Sequence, residues 1–503
     1  MANSRRSLLK KSAFAGLGAS IGGLFAGGAA GSERDAAAAT VGSVGSAATV
    51  GTVATTEQPV TLASGIVVGA DLGRTRPRPA GQKPVHDLTT SPLRKVRVAH
   101  IGLNRGMDHV ADCLKLEFVE VVAVCDLREE RAVAAADACE KAGARRPELY
   151  GGTESIWERM VDRDDVDVVY ISTPWAWHVP MALRAMERGK HAFLEVAAAI
   201  TVDDCWRIVD TSERTRRHCV MLENCCYGEN ELFVLNMARQ GVFGDLTHAE
   251  CAYIHDLRKM LFTLGTEGDW RRDYHGQYDA NLYPTHGLGP VAQYLGIGRG
   301  DRLRFLVSVS SPEKGLTRWR DAARPNEGRH AAEKYLCGDM NTSIVKTELG
   351  RTVMVQHDVV SPRPYSRINA LSGTGATFFD YPARLAVNDP KAWGLAAKGS
   401  HAWLDEADLK TMRERFTHPL WKQSAERAKG ASHGGMDFVM NLRHLDCIRR
   451  GVTPDSVCYD AATWSSIIEI SARSVATGSL PVAIPDFTRG LWSTMKPLPV
   501  IGA

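Results

Sequence analysis

The chain has 503 residues, 44% hydrophobic and 24% charged, with a formal net charge of +3. That length accommodates two separate cores, and a nearly balanced charge without a dense basic stripe excludes a nucleic-acid-binding module. Eleven cysteines without paired C-x-x-C spacing exclude a disulfide framework, and the adjacent Cys225-Cys226 are badly placed to clasp zinc, so free buried thiols and no metal are expected.

Ser4-Arg5-Arg6-Ser7-Leu8-Leu9-Lys10 is a twin-arginine pattern, followed by a weakly apolar Gly/Ala run and the small residues of 26–31. Residues 1–31 therefore read as a twin-arginine signal, with export to the periplasm or beyond. The run is too glycine-rich and too weakly apolar for a membrane anchor. Residues 32–92, rich in Ala, Gly and Thr and then in Pro and Arg, read as a flexible linker. Short apolar strands are expected at 95–101, 118–125, 166–172, 190–196 and 218–223, with helices at 107–116, 128–142, 178–188 and 201–215 between them. That alternation predicts a parallel sheet covered on both faces, a dinucleotide-binding Rossmann domain over 93–224.

Beyond Asn224 the rhythm changes. A helix at 229–240 precedes longer strands at 246–257, 304–310 and 342–360, the last broken at Gly350, and shorter ones at 366–370 and 376–381. Helices are expected at 436–450 and 460–477, and an irregular tail from 481. Polar–apolar alternation predicts an α+β second domain over 225–503, with a largely antiparallel open sheet whose free face suits a homo-oligomer contact.

The turn after the first strand is Gly102-Leu103-Asn104-Arg105-Gly106, a shortened form of the G-x-G-x-x-G turn that lets backbone N–H groups approach a pyrophosphate. Asp126 ends the next strand about 20 residues on, where an acidic side chain receives ribose hydroxyls and disfavours a 2′-phosphate, so NAD is expected rather than NADP; the plainer role for Asp126 is a helix cap. Trp175, Ala176, Trp177 and His178 follow the third strand and Asn224 the fifth, at the carboxyl edge where ligands of such sheets bind. Both Trp residues could instead pack a domain interface.

Further motifs narrow the reading. These are Glu195-Val196, Leu222-Glu-Asn-Cys-Cys-Tyr227, Tyr283-Pro-Thr-His-Gly-Leu-Gly-Pro290, Pro362-Arg-Pro-Tyr-Ser-Arg367, His433-Gly-Gly-Met-Asp-Phe438 and Pro485-Asp-Phe-Thr-Arg-Gly490. With the cofactor segment they resemble glycoside hydrolase family 109, within the Gfo/Idh/MocA superfamily, over roughly residues 94–493. The resemblance implies an NAD-dependent α-N-acetylgalactosaminidase that keeps its cofactor through a redox-neutral oxidation, elimination, addition and reduction. It carries cofactor contacts onto Asn104, Arg105, Asp126, Trp175, Ala176, Trp177, His178, Glu195, Val196 and Asn224. Sugar contacts carry onto Tyr253, Arg271, Tyr283, Pro284, Thr285, His286 and Tyr365, with His286, Tyr283 and Tyr253 as catalytic candidates. In the superfamily's sugar dehydrogenases the Glu-Val pair usually reads Glu-Lys-Pro, with the lysine handling the proton of the substrate alcohol. Val196 therefore speaks against one alternative, an NAD(P)-dependent sugar oxidoreductase; the other, a sugar-binding protein with a vestigial cofactor fold, draws on the shortened glycine turn. Individually, His286 can be a turn cap, Tyr253 a core residue and Arg271 a surface ion pair.

Overall fold

The computed structural model describes residues 58–396 and 401–501. The twin-arginine motif and residues 32–57 of the expected linker lie outside the described residues. A two-stranded ribbon comes first, β1 (Val60–Thr61) antiparallel to β2 (Val67–Val68). Six strands follow: β3 (Val96–Ile101), β4 (Val119–Asp126), β5 (Glu148–Gly151), β6 (Val168–Ile171), β7 (His191–Leu194) and β8 (Cys219–Met221). Between them run α1 (Gly106–Cys113), α2 (Glu129–Lys141), α3 (Ile156–Val161), α4 (Trp175–Glu187) and α5 (Val202–Thr215). The strands pair in the order β5-β4-β3-β6-β7-β8, parallel throughout. β6 and β7 are buried at every residue, which is why they read as unbroken apolar runs rather than alternating ones. The chain leaves β3 in one direction for β4 and β5 and returns beside it as β6. The crevice at that reversal is where such sheets hold ligands.

The second half contains α6 (Glu229–Arg239), β9 (Leu246–Ile254), α7 (Glu267–Gln277), α8 (Thr285–Leu295), β10 (Leu303–Ser310) and α9 (Gly315–Ala323). Then come β11 (Asn341–Thr347), β12 (Thr352–Asp358), β13 (Ala370–Gly373), β14 (Ala376–Phe379) and β15 (Arg384–Val387). It closes with α10 (Glu406–Phe416), α11 (Pro419–Ala428), α12 (Met436–Arg450), α13 (Cys458–Ser465), α14 (Ile467–Ala476) and β16 (Val482–Ala483). The sheet order is β15-β14-β13-β9-β12-β11-β10-β16, with β9 parallel to β12 and the other pairs antiparallel. β11 alternates buried and open positions, leaving Ile344 exposed opposite Val307 of β10, on which Val309 is exposed too. One buried apolar cluster runs through both sheets.

Three expectations need correction. From residue 58 onward the expected linker is a strap fastened to both halves. Arg473 Nη2 donates to Gln58 O (2.9 Å), Arg78 pairs with buried Glu213 (3.0 Å), and Tyr459 Oη accepts from Val85 N (3.1 Å). Leu62, Leu72, Val85 and Leu88 enter the core. The strap's arginines find buried carboxylates that composition alone does not reveal. The tail from 481 is not wholly irregular, since β16 extends the sheet beside β10. The helix expected at 460–477 is two, parted at Ser466, whose Oγ bonds back to Thr463 O (2.9 Å). Among the described residues no helix is long and apolar enough to cross a membrane. All eleven cysteines are free and buried.

Candidate active site

The turn after β3 is built for close approach. Gly102 has φ +84°, and a Cβ there would stand 2.4 Å from Ser172 O. Asp126 at the end of β4 accepts from Leu103 N (2.7 Å) and Arg128 N (2.9 Å), so it holds the glycine turn as well as the start of the following helix. A cleft of about 340 Å³ opens along this edge, lined by Gly102, Asn104, Arg105, Asp126, Trp177, His178, Glu195 and Val196. Gly265 and Thr266, just before α7, close its other wall with Glu267, Trp270 and Arg271 of that helix, and Arg131 Nη2 donates to Gly265 O (2.9 Å). A backbone turn only glycine can make, a carboxylate at the second strand end and an elongated cleft between them fit a dinucleotide.

At the inner end Arg105 is the organising charge. Its guanidinium reaches Glu195 Oε1 (2.9 Å), Asp437 Oδ2 (2.8 Å) and Asp108 Oδ2 (2.7 Å). Burial works against its charge, but Glu195 and Asp437 reverse that and push its pKa up. Burial also pushes the Glu195 carboxyl up, and Arg105 with His109 overrides it and holds Glu195 far below the usual carboxylate range. His109 Nε2 donates to Glu195 Oε1 (2.8 Å), and its Nδ1 accepts from Asn441 (3.1 Å). Asp437 is likewise held ionised by His433 and Arg105 against its burial. Asn224 donates to Asp437 Oδ1 (2.7 Å) and is buried. It therefore supports this knot and does not line the cleft. The signal that Asp437 belongs here was the His-Gly-Gly-Met-Asp-Phe motif, but its partner more than 300 residues away was not readable.

The aromatic segment splits in two. Trp175 Nε1 donates to Val196 O (3.0 Å), and its ring packs on Trp270, Tyr274 and Tyr283, which is the interface-packing role. Trp177 faces the cleft, whereas Ala176 is exposed and does not line it. Both nitrogens of His178 meet backbone carbonyls at 2.8 Å, Ala197 O and Thr173 O, so it fixes the loop after Val196 and keeps no nitrogen for a ligand.

Beyond Val196 the sugar candidates gather. Tyr253 on β9 stacks on Tyr283 with ring centres 4.5 Å apart, and His286 lies edge-on to both at 5.3 and 4.9 Å. Arg271 sits over the Tyr283 ring at 4.7 Å, donates to its hydroxyl (3.3 Å) and pairs with Glu267 (3.0 Å). Tyr365 closes the group beside His255, its hydroxyl held by Arg367 (2.7 Å). Burial pushes the Tyr253 hydroxyl up to about 12, only partly opposed by Arg271, and raises Tyr283 further. Both phenols therefore stay protonated at neutral pH and act as hydrogen-bond donors. Pro284 caps α8 and Thr285 opens it; both are buried, and Thr285 Oγ1 has no hydrogen-bond partner, so these two shape the turn without facing the cleft. His286 is not a turn cap: it stands on the first turn of α8 and its Nδ1 meets Glu223 Oε1 at 2.7 Å. Donor atoms of Glu223, Cys225 and His286 lie within 4.8 Å of one another. The sequence marks Glu223 only as part of the Leu222-Glu-Asn-Cys-Cys-Tyr227 motif.

The domain model described as "Glycosyl hydrolase 109, C-terminal domain" matches residues 227–494, and that of the "Oxidoreductase family, NAD-binding Rossmann fold" matches 96–223. A glycosyl hydrolase family 109 protein of Shewanella baltica is 44% identical over 445 residues, 88% of this chain and 96% of that protein. The chain belongs to glycosyl hydrolase family 109. It is thus an enzyme, with an NAD-binding Rossmann half of the Gfo/Idh/MocA type. A family 109 relative from Shewanella oneidensis, named alpha-N-acetylgalactosaminidase, is 43% identical over the same coverage. Among solved structures, an NAD binding oxidoreductase from Klebsiella pneumoniae superposes with a TM-score of 0.58 at 14% identity, covering 78% of this chain and 99% of that one. A levoglucosan dehydrogenase complexed with NADH and levoglucosan gives 0.56 at 16%, with the same coverage. These two support the shared fold alone.

Removing the Asp126 carboxylate strips the glycine turn of its anchor. Asp126→Ala should weaken NAD retention by at least roughly tenfold, the weight of one charged hydrogen bond, measured as nucleotide released from the acid-quenched protein. Unchanged nucleotide content would exclude Asp126 from the cofactor site.

Proposed function

We propose that this family 109 enzyme hydrolyses α-N-acetylgalactosaminides by a redox-neutral route around a retained NAD. The observation that carries the proposal is the state of the carboxylates. Ordinary glycosidases need one acid and one free carboxylate facing the scissile bond. Here Glu195 and Asp437 are bound by Arg105, Glu267 by Arg271 and Glu223 by His286. What remains free to act is an imidazole, neutral phenols and a guanidinium. Val196 occupies the position of the dehydrogenase lysine, which supports a cofactor used within another reaction.

Asn104, Arg105, Asp126, Trp177, Glu195 and Val196 would hold the dinucleotide in the cleft they line. When bound, NAD supplies a hydride acceptor and donor at C3, so the sugar is a 3-ketone while its C1–O bond breaks. Arg271, flanked by Tyr283 and Trp175, stabilises the negative charge that develops on the C3 oxygen. Tyr253 and Tyr283, kept protonated by burial, donate to sugar oxygens. His286 takes the C2 proton: the C–H electrons form the C1=C2 bond, and the aglycone leaves with the C1–O pair and takes a proton from solvent, which the water that adds at C1 as hydroxide gives back. Water then adds at C1, and the C2 proton is restored from His286. The α-N-acetylgalactosaminidase name of the Shewanella oneidensis relative supports this sugar.

Purified protein given p-nitrophenyl α-N-acetylgalactosaminide and no added nucleotide should release nitrophenol with no net NADH. Nitrophenol release that requires added NAD in step with product, or net NADH on free sugar, would favour the oxidoreductase instead. The twin-arginine pattern further supports export of the folded, cofactor-loaded enzyme. Replacing Arg5 and Arg6 by Lys should retain it in the cytoplasm on cell fractionation; unchanged export would refute that route.

A further inference from the structure

We propose that Glu223 is the positioning residue of His286: its enclosed carboxylate fixes the imidazole proton on Nδ1 and so presents Nε2 as the proton-accepting atom. This rests on the reading of His286 as the base. The two side chains meet at 2.7 Å, Nδ1 to Oε1, and the Glu223 side chain is only 1% exposed. A carboxylate only accepts, so the shared proton belongs to Nδ1 and the Nε2 lone pair is left free. Nε2 makes no hydrogen bond with any described residue, while its ring lies against Tyr253 and Tyr283. Glu223 is itself held in place, since Oε1 also accepts from Cys225 N (3.2 Å) at the start of the 3-10 turn Asn224–Tyr227. Its Oε2 is buried without a hydrogen-bond partner, a cost that an incidental contact would not sustain.

Packing tells the same story independently. His286 is followed by Gly287 and Gly289, both inside α8. A Cβ on Gly287 would stand 2.6 Å from Ala252 N of β9, and one on Gly289 would stand 2.8 Å from Glu223 Cγ and 3.1 Å from Cys226 Sγ. Glycine is costly within a helix, and here the two together let α8 lie flush against β9 on one side and the Glu223 turn on the other. The spacing His-Gly-Leu-Gly is thus what brings the imidazole within reach of its carboxylate. In the reaction, Nε2 accepts the C2 proton, the resulting imidazolium keeps its Nδ1–H on Glu223 while Nε2 exchanges with water, and Nε2 then delivers a proton to C2. Glu223 never releases or gains one. A neutral partner that permits the other tautomer would leave Nε2 protonated and unable to act, as in serine hydrolases whose triad carboxylate is removed.

The test uses the full-length, nucleotide-loaded enzyme with p-nitrophenyl α-N-acetylgalactosaminide and its C2-deuterated form. Glu223→Gln should lower kcat about 100-fold, the usual weight of a positioned base, with KM within about threefold. Nucleotide content should be unchanged, and the C2-deuterium isotope effect on kcat should grow as proton removal becomes limiting. Glu223→Asp, which keeps the charge, should recover part of the rate. If Glu223→Gln does not fold, the same measurements on Glu223→Asp decide, with a raised isotope effect expected. Wild-type kcat in E223Q, or a lower kcat without a larger isotope effect, would overturn the assignment. So would activity removed by a chelator and restored by zinc, which would make Glu223, Cys225 and His286 a metal site. Full activity in His286→Ala would remove the base itself, whereas an inactive H286A beside a fully active E223Q would remove Glu223 alone.

Discussion

Arg105 is the constraint on which the site depends. It leaves the glycine turn after β3, and its guanidinium binds Glu195 at the end of β7 and Asp437 at the start of α12. Three segments that are distant in sequence therefore meet at one largely enclosed cation. Removing one partner from such a group leaves an uncompensated buried charge, at a cost of about 3–5 kcal/mol. The knot does more than hold the halves together. It keeps Glu195 ionised and engaged, with His109 and Asn441 behind it, so the carboxylate nearest Val196 is not a free acid or base.

The chemistry left to the site follows from that. With Glu195, Asp437, Glu267 and Glu223 each committed to a cation or an imidazole, the groups on the proposed sugar side are Tyr253, Tyr283, Arg271 and His286. Burial keeps the phenols neutral, and Arg271 is held cationic by Tyr283 and Glu267 against its own burial. Such a set stabilises an oxyanion and moves one proton. It matches a mechanism in which the difficult bond is broken next to a temporary ketone, not by direct protonation between two acids.

Much of the first half was legible because its signals are local. An apolar strand, a glycine turn and an acidic strand end lie within about 30 residues, and the physics of a dinucleotide site requires that order. β5 and α3 escaped because β5 has four residues, two of them exposed, and no alternating pattern. α7 escaped because its sequence, rich in Glu, Asp and Arg, carries little apolar periodicity. The site was readable as a set of residues but not as an arrangement. Tyr253, Arg271, Tyr283 and His286 come together, whereas Asn224 and Thr285 turn inward. Glu223 and Asp437 matter through contacts 63 and 213 residues away, which no periodicity encodes. The strap from residue 58 was missed for the same reason, since Arg78 looks like a linker residue until buried Glu213 is seen beside it.

The central claim is that the sugar loses and regains hydrogen at two neighbouring carbons by different means. Hydrolysis in deuterium oxide, with the released sugar examined by NMR, separates them directly. The account predicts deuterium at C2, where solvent-exchangeable His286 carries the proton, and retained protium at C3, where the hydrogen never meets water. A product with protium at both carbons would contradict it.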